Sequence, residues 1–201
     1  AQVSLPSVEQ ITGGSTPTAT YAYNRQGQAV RFTDQAGTVH EYAYDGLGRP
    51  TSDHASTLGT GIDDTVNRIT REYDDHLRLH VVKSLHVPSA GTETTDNIVT
   101  FGYDPFGQLA SDEQNHAGSG TGKTVAYAYA NGSANTIRRT SMTNPSGAGV
   151  AYGYDTEAAD KLSRVRKVSL AGTEKASYAY LGMATPVKVT YAMPGASPDI
   201  A

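Results

Sequence analysis

Apolar and small or polar positions alternate along this chain with a period of two. Val99, Phe101 and Tyr103 fall on one side of an extended segment, as do Val125, Tyr127 and Tyr129, and Val150, Tyr152 and Tyr154. Strand side chains alternate between faces, so this spacing predicts β-strands, whereas a helix would scatter the same residues around its axis. The strands are copies of one motif, Tyr-small-Tyr or a close relative, usually followed by Asp or Asn. It reads Tyr21-Ala22-Tyr23-Asn24, Tyr42-Ala43-Tyr44-Asp45, Arg71-Glu72-Tyr73-Asp74, Phe101-Gly102-Tyr103-Asp104, Tyr127-Ala128-Tyr129, Tyr152-Gly153-Tyr154-Asp155 and Tyr178-Ala179-Tyr180. Motif starts near 21, 42, 71, 101, 127, 152 and 178 predict a single array of about seven hairpin units over 1–201, with 1–20 a leading strand or loop. A period of this length signals a stacked array in which no unit buries its apolar face alone.

Several of these strands lead directly into turn chemistry. Asn24-Arg25-Gln26-Gly27, Asp45-Gly46-Leu47-Gly48 and Asp104-Pro105-Phe106-Gly107 carry Asx first and Gly fourth, the signature of a type I turn within a four-residue hairpin loop. Second strands are expected over 109–112, 137–142, 165–170, 187–191 and, longer, 77–87. Polar, Gly-rich connections are expected over 34–37, 89–97, 115–122, 144–149 and 171–175. The fold class expected is all-β, an array of antiparallel hairpins forming a curved or spiralling sheet. Twelve of the thirteen tyrosines sit in the motifs, so the aromatic residues are expected to build a core of ring ladders and not a sugar-stacking surface.

Composition changes the picture only a little. The 201 residues carry a net charge of −4, which gives no basic footprint for nucleic acid or an anionic membrane. No run approaches the roughly 18 apolar residues of a spanning helix, and residues 1–10 lack the basic and apolar regions of a signal peptide. Without cysteine the chain has neither disulfides nor thiolate chemistry. Leu, Ile, Val and Phe are about 17% of the chain, a level at which order depends on the repeat.

The Tyr42-Ala43-Tyr44-Asp45-Gly46-Leu47-Gly48-Arg49 and Phe101-Gly102-Tyr103-Asp104-Pro105-Phe106-Gly107-Gln108-Leu109 segments resemble the Tyr-Asp repeat of the RHS family. The likeness runs from Tyr21 to about Tyr191. Some units depart from it: Gln28 and Gln108 replace Arg, Ser163 stands for Gly in Leu162-Ser163-Arg164-Val165, and the third unit compresses its turn to Asp74-Asp75-His76-Leu77-Arg78-Leu79. The family includes bacterial polymorphic toxins, insecticidal toxin-complex components and teneurin adhesion proteins. The resemblance implies a β-sheet wall of a hollow shell that encloses a toxin or presents a surface and is not catalytic. Toxin-bearing members end the shell with a self-cleaving Asp-Pro-x-Gly-Leu core; here Asp104-Pro105-Phe106-Gly107-Gln108 sits mid-array and reads as a turn, so no cleavage residue is carried over.

Other motifs fail on context. Ala117-Gly118-Ser119-Gly120-Thr121-Gly122-Lys123-Thr124 fits a relaxed phosphate loop, but a polar stretch precedes it and the strand of Val125, Tyr127 and Tyr129 comes next where a helix is needed. His40-Glu41 has Tyr44 where a zincin needs its second His. His76, His80 and His86 with Asp74 and Asp75 read as exposed polar positions, and Asp63-Asp64 as an acidic loop. Asn131-Gly132-Ser133 is a glycosylation sequon; Asn144-Pro145-Ser146 is excluded by its proline.

The expectation is therefore a structural module with no catalytic, cofactor or metal residues. Its repeat residues are Tyr21, Tyr23, Tyr42, Tyr44, Asp45, Gly48, Tyr73, Asp74, Phe101, Tyr103, Asp104, Gly107, Tyr127, Tyr129, Tyr152, Tyr154, Asp155, Tyr178 and Tyr180. It would serve as a wall segment of a secreted or cell-surface, bacterial β-shell acting in encapsulation or adhesion. Partners expected are itself or neighbouring repeats through edge strands, and an encapsulated protein or surface glycan. The alternative is a self-assembling extracellular fibre subunit that pairs through open edges; an enzyme using the Lys123 loop ranks last.

Overall fold

The computed structural model describes residues 2–4, 18–116, 118, 120–130, 137–154, 162–183 and 185–192. Every regular element among them is a strand: β1 (Gln2–Ser4), β2 (Thr18–Tyr23), β3 (Ala29–Thr33), β4 (Val39–Tyr44), β5 (Pro50–Thr57), β6 (Arg68–Tyr73), β7 (Leu79–His86), β8 (Thr94–Tyr103), β9 (Leu109–Asn115), β10 (Lys123–Tyr129), β11 (Arg139–Thr143), β12 (Gly149–Gly153), β13 (Lys167–Leu170), β14 (Thr173–Leu181) and β15 (Thr185–Tyr191). The protein is an all-β array of antiparallel hairpins. Two compact units divide it, one of residues 1–100 with 114–122, the other of 101–113 with 123–201.

In the first unit β1 to β8 pair antiparallel in chain order, and in the second β10 to β15 do the same. Each Tyr-small-Tyr strand pairs with the strand after its turn. Just past the turn, the second strand carries one extra residue. Tyr23 faces Ala29 while Ala22 faces Arg31, so Val30 has no counterpart. The same skip leaves Thr51, His80, Thr140 and Val187 unopposed. Such bulges raise the local twist of a hairpin.

The turns are tighter than the four-residue loops expected. Gly27, Gly37, Gly48, Gly107 and Gly147 sit at φ between 82° and 86°, and each donates its N–H to the carbonyl of the Asx three residues earlier, at 2.9–3.3 Å. The Asx N–H in turn donates to the carbonyl four residues on, at 2.9–3.0 Å. This is a three-residue loop closed by a left-handed residue. Two segments expected to be polar connections, 34–37 and 144–149, hold this same turn. The third unit is not compressed either: Leu77, at φ 68°, occupies the glycine place of the Asp74 turn.

Several strand bounds also differ from those expected. β9 extends to Asn115, β8 starts at Thr94 inside the expected 89–97 connection, and β15 starts at Thr185. β11 begins at Arg139, β13 at Lys167 and β7 at Leu79, later than expected. Only Ala19, Val39, Leu85 and Ala176 are buried hydrophobics among the described residues, and no large side chain there is fully enclosed. The tyrosines are consequently half-buried and not core, with Tyr23 50% exposed.

Candidate functional site: the laced tyrosine face

Each turn is held by its Asx side chain. The Oδ1 atom of Asn24, Asp34, Asp45, Asp74, Asp104 and Asn144 accepts from the backbone N–H two residues on and again from the N–H four residues on, all at 2.8–3.1 Å. Asn and Asp are interchangeable here because only an acceptor oxygen is used. Four of the six turns add a charge. The Arg49 N–H bond, with further help from the Arg49 guanidinium, holds the Asp45 carboxyl below the ordinary range. At Asp74 and Asp34, partial loss of solvent pulls upward, but hydrogen bonds from Arg78 and from Thr38 respectively leave both carboxyls lowered.

The residue after the left-handed position completes the clamp. Arg49 Nε donates to Asp45 Oδ2 at 2.7 Å, and Arg78 reaches Asp74 Oδ2 through Nε at 2.8 Å and Nη2 at 2.7 Å. Where Asn24 replaces the acid, Gln28 replaces the base, and the two amides bond at 2.7 Å. The Gln28 substitution is thus a matched exchange. Gln28 also donates to the Gly48 carbonyl at 2.9 Å, tying one turn to the next.

In five of the motifs the second tyrosine does the same across a longer span. Tyr44, Tyr73, Tyr129, Tyr154 and Tyr180 donate their hydroxyls to the carbonyls of Ala29, Pro50, Leu109, Arg139 and Val165, at 2.8–2.9 Å. In three cases the register fixes the acceptor further: Ala29, Pro50 and Arg139 lie opposite Tyr23, Tyr44 and Tyr129, the second tyrosines of the preceding motifs. Arginines next to the acceptors cover several of these rings. Arg49 lies 4.1 Å from the Tyr73 centroid, Arg138 4.9 Å from Tyr154 and Arg164 4.9 Å from Tyr180, a cation–π arrangement.

First tyrosines make the lateral row. In the first unit the rings of Tyr21 and Phe32 meet at 4.8 Å, Phe32 and His40 at 6.3 Å, and His40 and Tyr42 at 6.1 Å. His40 Nδ1 lies 2.7 Å from Asp53 Oδ1. In the second unit Tyr127 donates to Asp112 at 2.8 Å, and that bond is the leading cause of a phenol pKa raised above its usual value. Arg139 lies 4.4 Å over the Tyr127 ring. Tyr152 faces Val168, and Tyr178 stacks on Tyr180 at 6.4 Å. A groove of about 350 Å³ on this unit is lined by Tyr129, Ile137, Arg139, Tyr152, Tyr154 and Val165.

The remaining sequence candidates disperse. Lys123 opens β10, so a strand and no helix comes after the Gly-rich loop. His86 Nδ1 pairs with the Asp64 carbonyl at 2.7 Å, and His76 and His80 are exposed. Asp63 accepts from the Thr65 hydroxyl and backbone N–H, which lower its pKa. Among the described residues no three His, Asp or Glu side chains gather as a metal site. Asp155 and the sequon at Asn131 lie outside the described residues, as do Ala117 and Ser119 of the loop. Sequence reasoning missed the hydroxyl lacing. Its only trace was the fixed place of the second tyrosine, because the acceptors are carbonyls 15 to 23 residues earlier.

No family model matches the sequence, and no curated protein matches it. Solved structures do match in fold. TcdB2-TccC3-TEV matches with a TM-score of 0.62 and 14% identity, over 94% of this chain and 10% of that one. TcdB2-TccC3-Cdc42 matches with a TM-score of 0.64 and 14% identity, over 97% of this chain and 10% of that one. The chain spans about a tenth of the length of these structures. At such identity the likeness is one of fold.

Proposed function

We propose that this chain is a non-enzymatic wall segment of an RHS-type β-shell, secreted or at the cell surface of a bacterium, acting in encapsulation or adhesion. The observation that carries the reading is the lacing. Five second-tyrosine hydroxyls are committed to carbonyls of the preceding hairpin, so the residues that dominate the sequence pattern join hairpin to hairpin. The repeat residues are therefore structural: Asp45, Gly48, Asp74, Asp104 and Gly107 set the turns, and the tyrosines join them. The fold likeness to chains about ten times longer supports the role of a segment. No helix among the described residues is long and apolar enough to cross a membrane. For adhesion, the half-exposed groove at Tyr129, Arg139, Tyr152 and Tyr154 is the place a glycan would stack.

Negative-stain microscopy and sedimentation of the purified chain test this. The expected outcome is short, discrete particles without filaments, and no ATP binding by calorimetry. Long filaments would favour the fibre reading, and saturable ATP binding lost in Lys123→Ala would overturn the non-enzymatic one.

A further inference from the structure

One position in the array breaks its own rule. The residue opposite the second tyrosine is Ala29 facing Tyr23, Pro50 facing Tyr44, Leu79 facing Tyr73 and Pro186 facing Tyr180, all of them apolar. Facing Tyr129 it is Arg139. The arginine that belongs to the turn is already present as Arg138, which covers the Tyr154 ring as Arg49 covers Tyr73. Arg139 is therefore an added cation. The same hairpin also departs in length: the Ala130 N–H donates to the Arg138 carbonyl, eight residues on, at 2.8 Å, whereas those of Asp45 and Asp74 donate to carbonyls four residues on. Ile137, next to the two arginines, is exposed.

Nothing acidic answers that charge. Arg49 and Arg78 pair with Asp45 and Asp74, but no Asp or Glu among the described residues pairs with Arg139, whose polar neighbours are the Tyr129 and Tyr152 phenols. Its guanidinium lies 4.4 Å from the Tyr127 centroid and 6.0 Å from that of Tyr129. Stacking of this kind occupies the face of the planar group and leaves its in-plane N–H fork free to donate to a carboxylate. Around it runs the groove of about 350 Å³, with the half-buried rings of Tyr129, Tyr152 and Tyr154 in its walls. Two of these rings are fixed beforehand, because Tyr129 and Tyr154 give their hydroxyls to the Leu109 and Arg139 carbonyls. Binding there orders little that is not already ordered.

We infer that this groove is a subsite for an acidic sugar, a pyranose that carries a carboxylate as a uronate does, within an adhesive glycan. The apolar C–H face of the sugar lies on the tyrosine rings, and its carboxylate takes the Arg139 fork. The inference rests on the adhesion reading of this groove and adds the charge of the ligand to it. A nucleic-acid strand fits less well, since it needs a run of phosphate contacts and the groove offers one cation on a chain of net charge −4. An apolar peptide fits less well too, because it would bury Arg139 without a partner.

The test is an NMR titration of the isotope-labelled full-length chain with three probes: D-glucuronate, D-glucose as the same ring without the carboxylate, and acetate as the carboxylate without the ring. Glucuronate is expected to shift the Arg139 Nε–H and the amides of Tyr129 and Tyr152, and to bind about 3- to 10-fold more tightly than either control. Arg139→Leu should erase that preference while the β13 and β14 amides keep their positions; the array already carries leucine at the equivalent place, Leu79. Arg139→Lys, which keeps the charge and loses the fork, should retain only part of the preference. Equal binding of glucuronate and glucose, or a preference that survives Arg139→Leu, would overturn the acidic subsite and leave glycan adhesion standing. Acetate bound as tightly as glucuronate would also overturn it, as an adventitious ion only. No shift with either sugar at its highest soluble concentration would remove both the subsite and the adhesion reading of this groove, and the wall-segment role would then stand on the particles seen by microscopy.

Discussion

At the residue scale, one oxygen and one hydroxyl per repeat set the geometry. Tyr180→Phe removes a single donor from the Val165 carbonyl and should cost about 0.5–1.5 kcal/mol in denaturant melts. Tyr23→Phe is its control. That ring is 50% exposed and its hydroxyl has no described partner, so stability should stay within about 0.5 kcal/mol. Equal losses would mean that hydroxyl lacing is irrelevant and only ring burial counts. The acidic turns give a pH signature. The folded pKa of Asp34 is depressed from 3.8, so its contribution is present above that value and is lost as pH falls through the folded pKa. Because Asn24 and Asn144 build the same turn with an amide oxygen, Asp34→Asn should keep the fold and shrink the loss of stability below about pH 4. Melts at pH 7 and pH 3 check this, and an unchanged acid loss would shift the cause to other carboxylates.

At the element scale, the left-handed turn position explains why glycine recurs and what its absence costs. Leu77 holds φ 68° with its side chain 57% exposed, so it suffers the left-handed penalty with little burial in return. That penalty is about 1–2 kcal/mol, and glycine's extra unfolded-state freedom offsets roughly 0.5–1 of it. Leu77→Gly should therefore stabilise by up to about 1 kcal/mol, read as a raised thermal midpoint; a lowered midpoint would show that Leu77 has a packing role. The same position shows what the sequence could and could not tell. Asx with Gly three residues later announced the turns at Asn24, Asp45 and Asp104, since only local sterics decide them. The turns at Asp34 and Asn144 carried the same letters but were passed over for want of a preceding Tyr-small-Tyr, and Leu77 broke the pattern altogether. The all-β class was legible from period-two spacing alone. The half-exposure of the rings was not, because alternation gives the face a residue points to and leaves open whether anything covers that face. Hydroxyl acceptors were hidden too: a backbone carbonyl has no residue signature.

At the scale of the whole molecule, stability is distributed along the chain. Contacts run from each strand to its sequence neighbours, as the ordered pairing in each unit requires. In such quasi-one-dimensional arrays, unit stabilities and nearest-neighbour terms add, and parts can open separately. Leu85 is the place to probe this, since at 3% exposure it is the most enclosed large side chain among the described residues, with Arg68 and Thr95 opposite it on β6 and β8. Leu85→Ala should cost about 2–5 kcal/mol locally. Hydrogen exchange read out by mass spectrometry would then show faster exchange in β6, β7 and β8, with β12, β13 and β14 of the second unit keeping their protection. A uniform rise across both units would mean that the 201 residues unfold as one cooperative body. In that case an array of this kind could not be lengthened or shortened repeat by repeat without altering the whole.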